Sequence, residues 1–299
     1  MTDDQASEHQ LVAMVMPALA WREDKSGLTP PPDPLPLAAR TALEWQKLAP
    51  HAVWAEVHGT AADVSHDRLN ELIGRAAAAG EQLALAWSFL READFWRNAP
   101  DDTDVAQSAM AVRAFTEVSR YFAVVTAHGV ANCTVRTLML EPTARALLEQ
   151  KYPNAGSFAP FDRSPQAWLS CNADVASKLT EAADASGKGA LQDLAASLGA
   201  CVTDLRWMQL MDARHVDFHR WRAQSLEGGV PVQSAWTQPS PDSWQLTMYG
   251  SSPFPPPDPE ESHAHSLAGL DCLSEMMDRW LTCWPAALED AGVPVFKTS

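Results

Sequence analysis

Positive charge is scarce in this chain. Lys and Arg number 22 against 38 Asp and Glu in 299 residues, for a formal net charge of −16. A general basic coat for nucleic acid is excluded, so any such contact needs a local basic patch. The same anionic field argues against residence on an anionic membrane. Cysteine is also sparse. Cys133, Cys171, Cys201, Cys272 and Cys283 are odd in number and widely spaced, with no CxxC pair. That pattern speaks against a disulfide framework or zinc knuckle and for reduced, buried thiols. Long apolar runs are missing too: Leu11–Trp21 contains Pro17 and is too short to span a bilayer. The first charges are Asp3, Asp4 and Glu8, not the basic region of a leader. A cytoplasmic protein is expected. The sequence has no Gly-x-Ser-x-Gly elbow, and Gly228-Gly229 fits no phosphate-loop or dinucleotide fingerprint. No internal repeat is apparent.

Apolar residues make up 46% of the chain, enough for a sizeable core, and twelve are tryptophan. Residues 1–66 read as an irregular segment with a proline-rich linker, Thr29–Pro36, which cannot be a helix interior or a central strand. Leu11–Val15 and Ala52–Val57 are candidate short strands. From Ser65 onward apolar residues recur at helical spacing, and 67–299 reads as a helical domain. Leu69, Leu72, Ile73, Ala76, Leu83, Trp87 and Leu90 predict one long helix to about Trp96, in which Gly80 is the one weak position. With Asp104 as its N-cap, a second runs from Val105 to about Leu140, where Pro142 marks its end. A short helix through Leu148 follows. Ser164-Pro165 predicts a helix start, running to about Ala183. The next helix is expected to run unbroken from about Leu191 to Trp221. Gln233–Gln238 and Trp244–Tyr249 read as a β-hairpin, and a last helix covers about Glu261 to Trp284. The expected fold is therefore mainly α, a bundle of four main helices over about 105–285 with a short hairpin insertion.

Chemistry concentrates in Asp212–Arg222, DARHVDFHRWR. In an unbroken helix from Leu191, one heptad position reads Leu191, Leu198, Leu205, Asp212 and His219. Three residues on it reads Leu194, Cys201, Met208, His215 and Arg222. This stripe is apolar up to Met208 and polar beyond it. On that reading Asp212, His215 and His219 share the inward face and Arg214 is turned away. A plain explanation is a helix leaving the core for water, its basic residues suiting the macrodipole. The alternative is an inward face that continues into a cleft. Trp207, Met211, Phe218 and Trp221 keep an adjacent face apolar, which favours the cleft.

Two chemistries suit such a cleft. In the first, a histidine moves protons at an RNA 2′-hydroxyl and leaving oxygen while an arginine stabilises the phosphorane. Arg214-His215-Val216-Asp217-Phe218-His219 resembles the R-x4-H motif of the HEPN family. The resemblance implies an all-α, often dimeric, metal-independent endoribonuclease of the toxin or defence-effector kind. It needs no cofactor. Arg214 and His219 would be catalytic, His215 would be the polar motif position, and Asp212 would belong to the same catalytic face. Arg220 and Arg222 would supply the local basic patch for RNA. Five residues on a straight helix are about 140° apart, so Arg214 and His219 converge only through a bend, a helix end or the reach of the arginine.

In the second chemistry, His215 and His219, at i and i+4, could hold a metal, or either could ligate a haem iron. Asp212 would orient His215. The Arg214-His215-Val216 segment ahead of Gly228-Gly229 looks like the tryptophan 2,3-dioxygenase family, in which an Arg-His pair supplies the proximal haem ligand. That resemblance implies a haem-dependent oxygenase acting on a small aromatic substrate, with His128 on the distal side. His128 and Asn132 lie one turn apart, with Arg136 continuing the row. They are either satisfied core groups or substrate-binding residues of the same cleft. His263 and His265, beside Glu260 and Glu261, read as exposed and structural. A third reading is a helical scaffold without catalysis.

Overall fold

The computed structural model describes residues 36–49, 66–98, 105–152, 168–219, 225–226, 230–240, 243–250 and 259–293. The body is mainly helical. Its elements are α1 (Leu37–Gln46), α2 (His66–Arg97), α3 (Val105–Leu138), α4 (Pro142–Lys151), α5 (Ala173–Ser186), α6 (Gly189–Thr203), α7 (Leu205–His219) and α8 (Pro259–Asp290). Between α7 and α8 the backbone of Val230–Ser240 lies antiparallel to Ser243–Gly250, with Ala235 opposite Thr247. No described helix is long and apolar enough to cross a membrane. The strand candidates near Leu11 and Ala52, the Asp104 cap, the Ser164-Pro165 start and the Gly-Gly pair lie outside the described residues.

The expected helix over 69–96 corresponds to α2 and packs antiparallel on α3 along most of its length. Ser119 Oγ donates to the Ala86 carbonyl at 2.7 Å, and Ser108 Oγ to that of Trp96 at 2.6 Å. α2 runs continuously through Gly80. A Cβ there would come within 2.6 Å of Trp45 Cβ, so the glycine lets α1 seat directly on α2. Trp45 is fully buried, and its Nε1 donates to the Met277 carbonyl at 3.2 Å. The stretch read as irregular therefore contains a core helix. Its spacing, Ala38, Ala42 and Trp45, is amphipathic, but it follows directly on the proline run.

α8 runs beside α3 in the same direction. Trp280 Nε1 donates to Thr134 Oγ1 at 2.8 Å and Trp284 Nε1 to Thr137 Oγ1 at 3.1 Å. These bonds satisfy the indoles inside the core, where an unpaired N–H would cost about 1–3 kcal/mol each. Pro142 starts α4 at its first turn, and Glu141 caps it by accepting from the Ala144 N–H.

Two helix boundaries differ from expectation. α5 begins at Ala173, not near Pro165. Asn172 Oδ1 caps it by accepting from the Val175 N–H at 2.9 Å, and residues 168–171 are non-helical. The helix expected from Leu191 to Trp221 is divided. Asp204 is extended, at φ −72° and ψ 133°, and its carboxylate accepts from the Arg206 N–H at 2.8 Å, starting a new helix. Arg206 also pairs with Glu275 at 2.8 Å, which ties the joint to α8.

Candidate functional site

The break at Asp204 decides which residues of α7 face inward. α6 obeys the heptad stripe: Leu191, Leu194, Leu198 and Cys201 are all fully buried. Past the break the stripe fails. Leu205 is 67% exposed and Met208 48% exposed, while Trp207 and Leu210 are buried and Met211 packs against the core. A Cβ on Gly269 of α8 would lie 2.6 Å from Leu210 Cβ, so α7 sits close against α8 along this face. Counting on from Trp207, Leu210 and Met211 at helical spacing brings Arg214 inward and leaves Asp212 outside.

This overturns the expected arrangement. Asp212 is exposed, and Arg214, read as turned away, is half-buried with its Nε shielded from solvent. The side chains of His215 and His219 lie outside the described residues, as do Arg220 and Arg222 entirely. The structure thus leaves the proposed partner histidines undescribed and brings Arg214 to a different histidine, His128 of α3.

His128 is built into α3 with care. Its Nδ1 accepts a hydrogen bond from the Cys171 N–H at 2.9 Å. The neutral ring then carries its proton on Nε2. Burial, and secondarily the charge of Arg214, push the His128 pKa down to about 4, so the ring is neutral at pH 7. Asn132 is one turn further on and fully buried. Its Nδ2 donates to the carbonyls of His128 and Leu169, and its Oδ1 accepts from the Leu169 N–H at 3.1 Å and from Arg136 Nη1 at 3.1 Å. Those four bonds use the whole capacity of the amide. Asn132 therefore clamps the segment 168–171 onto α3 and has nothing left to offer a substrate. Arg136 is buried, and desolvation, with the charge of Arg75 as a smaller cause, lowers its pKa. Arg75 lies 6.0 Å from the Trp168 ring and pairs with Glu71.

A second polar cluster went unread in the sequence. His263, expected to be exposed, is 2% exposed and sits between Arg97 Nη1, 2.9 Å from its Nδ1, and Asp94 Oδ1, 3.1 Å from its Nε2. Beside it Arg120 is buried, its Nε donating to Ser266 Oγ at 2.7 Å and its Nη2 to the Ser262 carbonyl at 2.7 Å. Ser262, His263 and Ser266 fall on one face of α8 at helical spacing, the only signal that could have exposed this cluster. Among the described residues no group of three or more His, Cys, Asp or Glu could hold a metal ion.

No family model, curated protein or solved structure matches this chain.

Proposed function

We propose that the chain is a haem-dependent oxygenase acting on a small aromatic substrate. The observation that carries this reading is Arg214 turned inward beside a neutral, anchored His128. An inward arginine within a helical body suits the carboxylate of a small molecule better than the backbone of an RNA strand. His128 suits a donor role at the distal side, because Nε2–H is held in place by the bond at Nδ1. The ring does not suit iron ligation, since Nδ1 is engaged and Nε2 is protonated. The buried thiols do not suit it either: burial pushes Cys133 and Cys171 up to about 12, so they keep their protons. His215 or His219 would hold the haem, as the family resemblance implies. Haem supplies dioxygen chemistry when bound. The chain's own part is to orient the substrate through Arg214, to donate from His128, and to keep water from both.

The proposal includes a β-hairpin over 230–250, joining α7 to α8, and residence in the cytoplasm. A second reading, the HEPN-like endoribonuclease working as a homodimer, keeps Arg214 as the cation for the phosphorane and His219 as acid and base. Absorption separates the two readings. Protein purified or reconstituted with haemin should show a strong band near ~400 nm that is lost in both His215→Ala and His219→Ala combined. A colourless protein that cleaves RNA, and loses that cleavage in Arg214→Ala and His219→Ala, would establish the ribonuclease instead. If neither signal appears, the scaffold reading stands.

A further inference from the structure

We infer that Cys201 and Cys272 form a peroxide-sensitive thiol pair whose disulfide would bolt the root of α7 to α8. Their sulfurs are 3.9 Å apart, one on the last turn of α6 and the other on α8, and both side chains are buried. Both cysteines are free thiols. A disulfide would bring them from 3.9 Å to a bonded distance of about 2.05 Å.

Chemistry supports the pairing. The contact between the two sulfurs lowers the Cys272 pKa and raises that of Cys201, so Cys272 is the more readily ionised of the two. A hydroperoxide is the oxidant. The Cys272 thiolate attacks the peroxide; an S–O bond forms, the O–O bond breaks, and the leaving oxygen departs as an alcohol, or as water when the oxidant is hydrogen peroxide. Cys201 then attacks the sulfenic sulfur. The S–S bond forms, the S–OH bond breaks, and water leaves. Two thiols give up two electrons and two protons, and the peroxide is reduced.

Position makes the bond consequential. Cys201 lies three residues before the extended residue Asp204, where α7 takes its own direction, and Arg206 already ties this corner to Glu275. A disulfide here would fix the start of the helix that carries Arg214.

The test uses the full chain, treated with hydrogen peroxide, blocked with iodoacetamide under denaturing conditions and digested with trypsin without reduction. A cross-linked species of peptides 189–206 and 223–279, lighter by two hydrogens than the sum of the free peptides and removed by dithiothreitol, is expected. In Cys201→Ser, dimedone should instead trap a sulfenic acid at Cys272. The inference is overturned if both cysteines remain alkylated at peroxide doses that oxidise a surface methionine, or if Cys171 replaces either partner in the cross-link. The wild-type result alone decides the matter if the serine variant does not fold.

Discussion

Around Arg120 the polar atoms of α3 meet those of α8; around His128 they meet a non-helical segment and the inward face of α7. The first cluster joins helix to helix. Arg120 donates to Ser262 and Ser266, and His263 sits between Arg97 and Asp94, so α2, α3 and α8 are stitched at one level. In the second, Asn132 and His128 hold the backbone of Leu169 and Cys171, and the charge of Arg214 is felt at the His128 ring. Arg120 and His263 are almost fully buried, whereas His128 and Arg214 are half-buried. The hydrogen bonds also go to different places: between neighbouring helices in one case, and into holding a non-helical backbone segment in the other. Side chains bonded from helix to helix fix the helices against each other, whereas those bonded to backbone fix a segment that has no helix of its own.

The sharpest way to break this comparison is Arg120→Ala. It removes bonds that span two helices and leaves a cavity, so urea unfolding should show a loss of about 3–5 kcal/mol. Acid comes next. His128 titrates at about 4 when folded against 6.5 in the unfolded chain, so between those values the unfolded state binds more protons. Its contribution is complete above pH 6.5 and is lost as pH falls toward 4. It amounts to on the order of 2–3 kcal/mol after allowance for partial exposure. His128→Gln should flatten the stability-against-pH curve over that window; an unchanged slope would remove His128 as its source.

Asn132→Ala should cost about 1–3 kcal/mol and speed hydrogen exchange at the Leu169 and Cys171 amides, with the Arg120 cluster unaffected. The smallest stability effect is expected for Arg214→Ala, below about 1 kcal/mol. Its effect is electrostatic: with that positive charge gone, the His128 pKa should rise, yet stay under 6.5 because burial is the larger cause. An NMR titration of the His128 ring in the wild type and in Arg214→Ala reads this directly.

The helical body was legible where a repeat ran long and undisturbed. Leu69 to Leu90 and Val105 to Leu138 declare their period over several turns. What failed were events confined to one residue. Asn172 caps a helix as well as a Ser-Pro pair does, but the Ser-Pro signal upstream drew attention from it. Asp204 breaks a helix with neither glycine nor proline. Its only sign is an acidic residue that can accept from the N–H two positions on. Missing that residue reversed the assignments of Arg214 and Asp212, because a stripe carried across a break points the wrong way. The pairing of His128 with Arg214 was also beyond reach as geometry, since it joins residues 86 positions apart. Only their membership of one cleft was anticipated.

Asp204 also separates two inheritances. Within a continuous helix, a residue gained or lost turns everything downstream by about 100°. Across an extended joint that rotation need not pass, because α7 takes its angle from Trp207, Leu210 and the glycine gap at Gly269. Length changes in α6 and substitutions on α7 can then be tried independently, like gears on opposite sides of a clutch. The chain can alter the residue that meets His128 without redesigning the core helix that precedes it.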